Sequence, residues 1–198
     1  MKHLTFVMSL AAVLSLAFTN PVEKAVAYKV DVAGSAVKWT AYKVTGKHFG
    51  KITLKTGSLE MSKTKLGKAS FEVDMTTLTV EDITGEYADK LKGHLLSDDF
   101  FSVEKHKTAK FVSTKIVPNG KPNGFSVTGD LTIKGITKPI TFDAVVKNTS
   151  GKVTGTAAIK VDRTNYDIKY RSGRFFQDLG DKAIYDEFDL EVSLVANK

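Results

Sequence analysis

The residues with chemical potential are few and scattered. The chain carries histidines at 48, 94 and 106 beyond an apolar leader, and none has the HxH or HExxH spacing of a metal site. It has no cysteine, which removes thiolate metal sites, a cysteine nucleophile, a disulfide framework and a lipid anchor on an N-terminal cysteine. There is no GxSxG elbow, Walker loop or GxGxxG turn. The acidic pairs Glu81-Asp82 and Asp98-Asp99 read as capping or solvated groups, the first just ahead of a short helix whose dipole favours carboxylates. Arg163 sits at the end of an alternating apolar run, so it should meet a carboxylate, a carbonyl or a bound anion. Lys169, Arg171 and Arg174 lie in an irregular segment running to about Lys182, together with Phe175, Phe176 and Leu179. That segment is either a solvated loop docked by its aromatics or a lid with basic groups for an anionic headgroup.

The elements that must position these groups are strands. Apolar residues recur at every second position in eight runs: Val37–Ala41, Gly50–Leu54, Ala69–Met75, Ala109–Phe111, Phe125–Ile133, Ile140–Val146, Val153–Val161 and Phe188–Leu194. Clean alternation predicts antiparallel pairing with one wet face. Turn residues separate the runs, among them Pro118-Asn119-Gly120, Ser150-Gly151, and Gly135 with Pro139. The expected fold class is all-β: a single antiparallel barrel of about eight strands, which hides its own edges. One helix is expected at 85–93, with Tyr87, Leu91 and Leu95 on one stripe and Gly93 as its C-cap, covering an end or an edge.

Composition agrees with this frame. The 198 residues are 42% hydrophobic and 26% charged, with 29 Lys+Arg against 22 Asp+Glu. The net charge of +7 is spread along outward strand positions, which argues against a nucleic-acid stripe. The first 27 residues have the order of a cleaved export signal: a basic start, an uncharged run from Leu4 to Phe18, and Ala25-Val26-Ala27. The expected mature domain is 28–198, periplasmic or secreted, with no membrane-spanning segment.

The inward faces mix very small residues with large aromatics. Ala41, Ala69, Ala109, Gly129, Ala144, Gly155 and Ala157 share register with Trp39, Phe71, Phe111, Phe125, Phe142 and Phe188. An eight-stranded barrel is the size at which side chains either fill the inside or leave room for one ligand. The pattern therefore leaves two readings open, a fitted core of small and large residues or an apolar cavity.

Several blocks resemble the YceI-like family of exported, lipocalin-like, polyisoprenoid-binding proteins. They are Tyr28-x-x-Asp31-x-x-x-Ser35-x-Val37-x-Trp39, His94-Leu95-x-Ser97-x-Asp99-Phe100-Phe101, Ala109-Lys110-Phe111, Gly129 to Pro139, and Asp162-Arg163-x-x-Tyr166-x-Ile168. The resemblance implies a hydrophobic tunnel for a long isoprenoid chain of the quinone or polyprenyl phosphate type. The residues expected to line it are Trp39, Phe71, Phe101, Phe111, Phe125, Leu131, Phe142, Ala144, Ala157, Arg163 and Phe188. No catalytic residue, resident cofactor or metal is expected, only a bound isoprenoid lipid. The rival expectation is an enzyme or a His-ligated haem protein on the same barrel. A homodimer through an outer strand face is compatible with the pattern but not selected by it. The segment Tyr170 to Lys182 departs from the simpler family pattern, so a headgroup preference does not carry over.

Overall fold

A computed structural model of the chain describes residues 24–198. The expected export signal therefore lies mostly outside the described residues. Nine strands form one antiparallel sheet: β1 (Val26–Val30), β2 (Ala36–Lys43), β3 (Gly46–Ser62), β4 (Lys65–Asp74), β5 (Thr108–Pro118), β6 (Gly124–Ile133), β7 (Ile136–Thr149), β8 (Lys152–Asp162) and β9 (Ile184–Asn197). Their order is β1-β3-β2-β9-β8-β7-β6-β5-β4, and β4 pairs back onto β3 to close a barrel.

Eight strand lanes make the circumference, because β1 and β2 share one. Residues 26–29 pair with 58–61 of β3, and residues 37–43 pair with 46–52 of the same strand. Both also pair with β9. The break between them is held by Ser35, whose hydroxyl donates to the Asp31 carbonyl at 2.7 Å and accepts from the Val195 N–H at 3.0 Å. The spacing of Asp31 and Ser35 thus encodes one strand interrupted and resumed.

Each of the eight alternating runs lies in a strand, apart from Met75, which opens a short turn after β4. Strand β1 went unassigned in the sequence reading. A second correction concerns Pro139. It lies inside β7 opposite Asp130, and the turn before it is Lys134-Gly135, both with positive φ.

The helix α1 spans Glu86–Leu96, not 85–93. Gly93 is tolerated within it, and the chain leaves the helix at Ser97, whose hydroxyl donates to the His94 carbonyl at 2.8 Å. The expected stripe is also shorter. Leu95 is buried, but Tyr87 in the first turn of α1 is 77% exposed.

The Glu81-Asp82 pair does not serve the helix dipole. Asp82 accepts from His48 Nδ1 at 2.7 Å and from the Phe49 N–H at 3.0 Å. With Thr77 and Thr79 it continues the line of β4 along β3, bonding Thr53 and Lys51 in turn.

Candidate functional site

The barrel interior holds a cavity of about 200 Å³. Its wall is hydrocarbon and aromatic apart from Lys110, Thr156, Arg163, Tyr185 and the Trp39 indole. Lys110 and Thr156 alternate outward between inward neighbours, so their charged and hydroxyl ends face away. Ten of the eleven residues expected to line the interior do so: Trp39, Phe71, Phe101, Phe111, Leu131, Phe142, Ala144, Ala157, Arg163 and Phe188.

Phe125 is the exception. It has the inward parity of β6 but stands at the strand's start, opposite Pro118 and Ala144, and is packed into the end of the barrel with Tyr28, Met61 and Val153.

Small residues shape the interior in two ways. At Gly129 a Cβ would lie 2.4 Å from the Phe111 ring, so this glycine makes room for an aromatic and adds no void. At Gly57 a Cβ would lie 2.7 Å from the Phe71 ring, with the same result. Phe71 and Phe111 then stack at 6.5 Å, and Phe111 tilts onto Phe142 at 5.3 Å. The alanines at 41, 69, 109, 144 and 157, in contrast, face the cavity directly. Part of the alternation is a fitted core, and part leaves space.

Arg163 lines the cavity, but each of its three guanidinium nitrogens already donates to a backbone carbonyl. Nε donates to the Tyr185 carbonyl at 3.0 Å, Nη1 to the Ile168 carbonyl at 2.8 Å and Nη2 to the Ile184 carbonyl at 3.0 Å. Asp186 lies 3.7 Å from Nη2. Burial disfavours the charged guanidinium, and Asp186 opposes that effect. The side chain is a staple that fastens the loop after β8 to the first residues of β9 at the barrel mouth.

The other polar candidates act beside it. Asp162 accepts from the Thr164 N–H and hydroxyl, at 2.8 and 2.6 Å. Arg174 reaches Asp162 at 3.2 Å and Asp186 at 3.6 Å, which ties the 169–183 loop to the turn after β8. Lys169 pairs with Asp167 at 2.6 Å. Neither Lys169, Arg171 nor Arg174 reaches the cavity wall. Phe175 and Phe176 are about half exposed, so the loop is seated by buried Ser172 and by Tyr170, not by these two rings.

The histidines also belong to the cap. His94 bonds Asp99 at 2.9 Å and stands edge-on between Phe100 and Tyr170, with centroids 4.9 and 4.6 Å away. His48 pairs with Asp82, and His106 lies against Gly135. None of the three lines the cavity, so a His-ligated haem would find no ligand on this wall. Among the described residues no three His, Cys, Asp or Glu side chains are grouped to hold a metal ion. Tyr166 is buried, and burial with nearby Asp162 pushes its hydroxyl up to about 12, which keeps it a neutral phenol.

Apart from Phe101 and Arg163, sequence reasoning missed the wall residues that come from outside the strands. Leu78, Leu95, Phe100 and Ile168 all face the cavity from the cap. Three of them stood within the quoted motif blocks, and those blocks converge here. Lys134 Nζ donates to the Asp98 carbonyl at 2.9 Å and the Asp167 carbonyl at 3.3 Å, so the β6–β7 hairpin holds both cap loops.

Comparison with known proteins agrees with this construction. The YceI-like domain model matches residues 28–196. Among curated relatives, a UPF0312 protein of Vibrio campbellii is 35% identical over 147 residues, covering 73% of this chain and 74% of that protein. A UPF0312 protein of Pseudomonas putida is 36% identical over 129 residues, covering 63% and 64%. Another, from Serratia proteamaculans, is 44% identical over 68 residues, a stretch of only 34% of either chain. Several of these matches thus span less than two thirds of the relative. Among solved structures, Burkholderia cenocepacia BcnA superposes with a TM-score of 0.70 at 23% identity, covering 85% of this chain and 99% of that one. A polyisoprenoid binding domain from Saccharophagus degradans gives 0.61 at 14% identity, covering 86% and 97%. At those identities the structures speak for the fold, while the domain match takes in all nine strands except the first two residues of β1 and the last of β9. With motif blocks that interlock at one end of an apolar barrel, the chain belongs to the YceI-like family.

Proposed function

We propose that this chain is a non-enzymatic carrier that holds a long isoprenoid lipid in its barrel, exported to the cell envelope by the segment 1–27. The cavity carries this reading. Its wall offers apolar surface along the barrel and no uncommitted charge, because the one inward-register arginine is spent on backbone carbonyls. Such a site suits a ligand whose affinity comes from hydrocarbon, at roughly 0.8 kcal/mol per buried CH₂. The fold neighbour from Saccharophagus degradans, described as a polyisoprenoid binding domain, supports the ligand class. Carriage, storage or stress protection in the envelope would follow from holding such a lipid away from water.

The test is mass spectrometry of an organic extract from natively purified protein, beside the Ala144→Trp variant. Ala144 is buried on the cavity wall, so an indole there takes up the space of the ligand. A stoichiometric isoprenoid that falls at least tenfold in the variant supports the carrier. Equal lipid in both proteins, or none in the wild type after incubation with a polyprenyl quinone, overturns it.

A further inference from the structure

The side wall of the barrel is not uniformly laced. Strands β7 and β8 pair from their shared turn only as far as Ala144 opposite Ala157. Beyond that rung, residues 136–143 and 158–162 run on toward the capped end, bonded to β6 and to β9 but not to each other. The unpaired edges are five to eight residues long, or roughly 17–26 Å at strand spacing. The turn Arg163–Tyr166 packs on β7 and closes the far end of this seam.

The sequence builds the seam. The Val146 N–H donates to the Asn123 carbonyl on the β6 side, at 2.9 Å. Strand alternation, with no bulge in the β6–β7 register, then turns the backbone of 137, 139, 141 and 143 toward β8. Position 139 is proline. It has no N–H to give, and it stands on the edge that would otherwise draw β8 in.

The same wall is thin. An outer groove of about 470 Å³ runs from the β5–β6 turn over β7, β8 and β9 to the start of β2, and it shares Ala144, Thr156, Ala157 and Val192 with the interior cavity. The last rung between the two spaces is a pair of methyl groups. Inside the seam, Ile140, Phe142 and Ile159 line the cavity while remaining only partly buried, as does Ala157 on the last rung. Both ends of the barrel differ in this respect. Met61, Val153 and Ala196 are sealed at one end, and Leu78, Tyr166 and Ile168 at the other. A lipid passing either end must displace buried side chains. One passing between β7 and β8 breaks no ladder hydrogen bond.

We infer that the β7–β8 seam is the passage by which a hydrocarbon chain crosses the barrel wall, with the outer groove as its approach. This rests on the reading of the barrel as a lipid carrier. The chain has no cysteine and a single tryptophan, Trp39, on the cavity wall, so labels and a reporter are easily placed. Ala158→Cys sits on the seam's outer edge, Lys160→Cys is a second seam position, and Lys182→Cys marks the capping loop. Each is coupled to a maleimide-polyethylene glycol. Uptake of a polyprenyl quinone from phosphatidylcholine vesicles is followed by quenching of Trp39.

Adducts at 158 or 160 are expected to slow uptake at least tenfold with an unchanged end point, while the adduct at 182 leaves the rate within twofold. Slowing by the 182 adduct as great as by the seam adducts, or no slowing by the seam adducts, overturns the passage and leaves the carrier standing. A seam adduct that lowers the end point without changing the rate also overturns it, by making the seam part of the binding site. No quenching in unlabelled protein, with no quinone in its extract, refutes the carrier itself.

Discussion

The two ends of the barrel are closed by different physics. At one end the strands simply continue, and Tyr28, Met61, Val153 and Ala196 fill the lumen with apolar side chains. At the other end the strands stop, and two long segments, 75–106 and 163–183, are drawn across the opening. They add Leu78, Leu95, Phe100 and Ile168 to the apolar packing, but polar groups hold them there. Arg163 takes three carbonyls, Lys134 takes two, and the Trp39 indole N–H takes Thr79 at 3.1 Å. Closure by side-chain volume needs only the right residue at the right parity. Closure by irregular chain needs its backbone polar groups satisfied one by one, since no ladder does it.

The largest effect should come from the polar end. Arg163→Ala leaves three carbonyls without their donor and removes a buried cation from beside Asp186. A loss of about 3–5 kcal/mol is expected in denaturant unfolding. Arg163→Lys should recover only part, because one ammonium cannot match a planar fork on three carbonyls. A loss under about 1 kcal/mol for the alanine variant would mean the loops hold themselves, and the contrast would collapse.

At the strand-closed end the corresponding change is Met61→Ala, at a side chain only 2% exposed. A cavity there should cost about 2–4 kcal/mol, with no dependence on pH. The contrast predicts a difference in kind as well as size. The Met61 variant should unfold as one unit, whereas the Arg163 variant should lose amide protection first at 164–168 and 184–186. Early loss around Met61 in the arginine variant would show that the two ends are one cooperative closure.

Trp39→Phe is a finer probe. It keeps an aromatic in the wall while removing the bond to the Thr79 carbonyl and part of the ring volume, and about 1 kcal/mol is expected if the bond sets the cost. The variant must be followed by circular dichroism, since it removes the only tryptophan. A cost nearer 3 kcal/mol would mean that ring shape at this position outweighs the bond.

The same division explains what could be read from the sequence. Alternation located eight strand lanes and put nine of the expected residues on the cavity wall, because burial on one face of a strand repeats every second residue, whereas Phe101, between α1 and β5, came only with a motif block. It went wrong where parity stopped being the rule. Phe125 has the right parity but the wrong height along the barrel. Strand β1 is short and follows directly on the apolar leader, so its alternation of Val26, Tyr28 and Val30 did not stand out. Gly93 resembled a terminus because a glycine's local signal carries no knowledge of the cap at Ser97. Arg163 was placed at the mouth by its parity, but its three carbonyl partners come from residues 5 to 22 positions away that show no pattern of their own. The seam between β7 and β8 lay beyond reach for another reason. Alternation reports which face is buried and says nothing about whether a neighbouring strand is bonded.

Acid should separate the two ends, with the smallest effect per group but the clearest direction. Five carboxyls at the capped end are held below their ordinary range. Asp74 is held by the Thr76 hydroxyl, Asp98 by Lys105, and Asp167 by Lys169. Burial pushes Asp82 and Asp162 upward, but hydrogen bonds outweigh it, from the Phe49 N–H and His48 at Asp82 and from Thr164 and Arg174 at Asp162. None of the five lies at the strand-closed end. A carboxyl whose folded value is depressed stabilises the fold above its unfolded value of about 3.9, and that contribution fades as pH falls through the folded value. Below about pH 4 the loops at 77–82 and 162–168 should therefore lose hydrogen-exchange protection, after correction for intrinsic exchange, while the β1–β3 ladder keeps it. Asp162→Asn should reduce the pH dependence at 164–168, because the amide no longer titrates, while weakening the Arg174 contact at every pH. Simultaneous loss at Thr79 and Met61 would refute a separate polar closure. A cap that loosens while the barrel stays laced would establish two closures in one fold, one set by volume and one by charge.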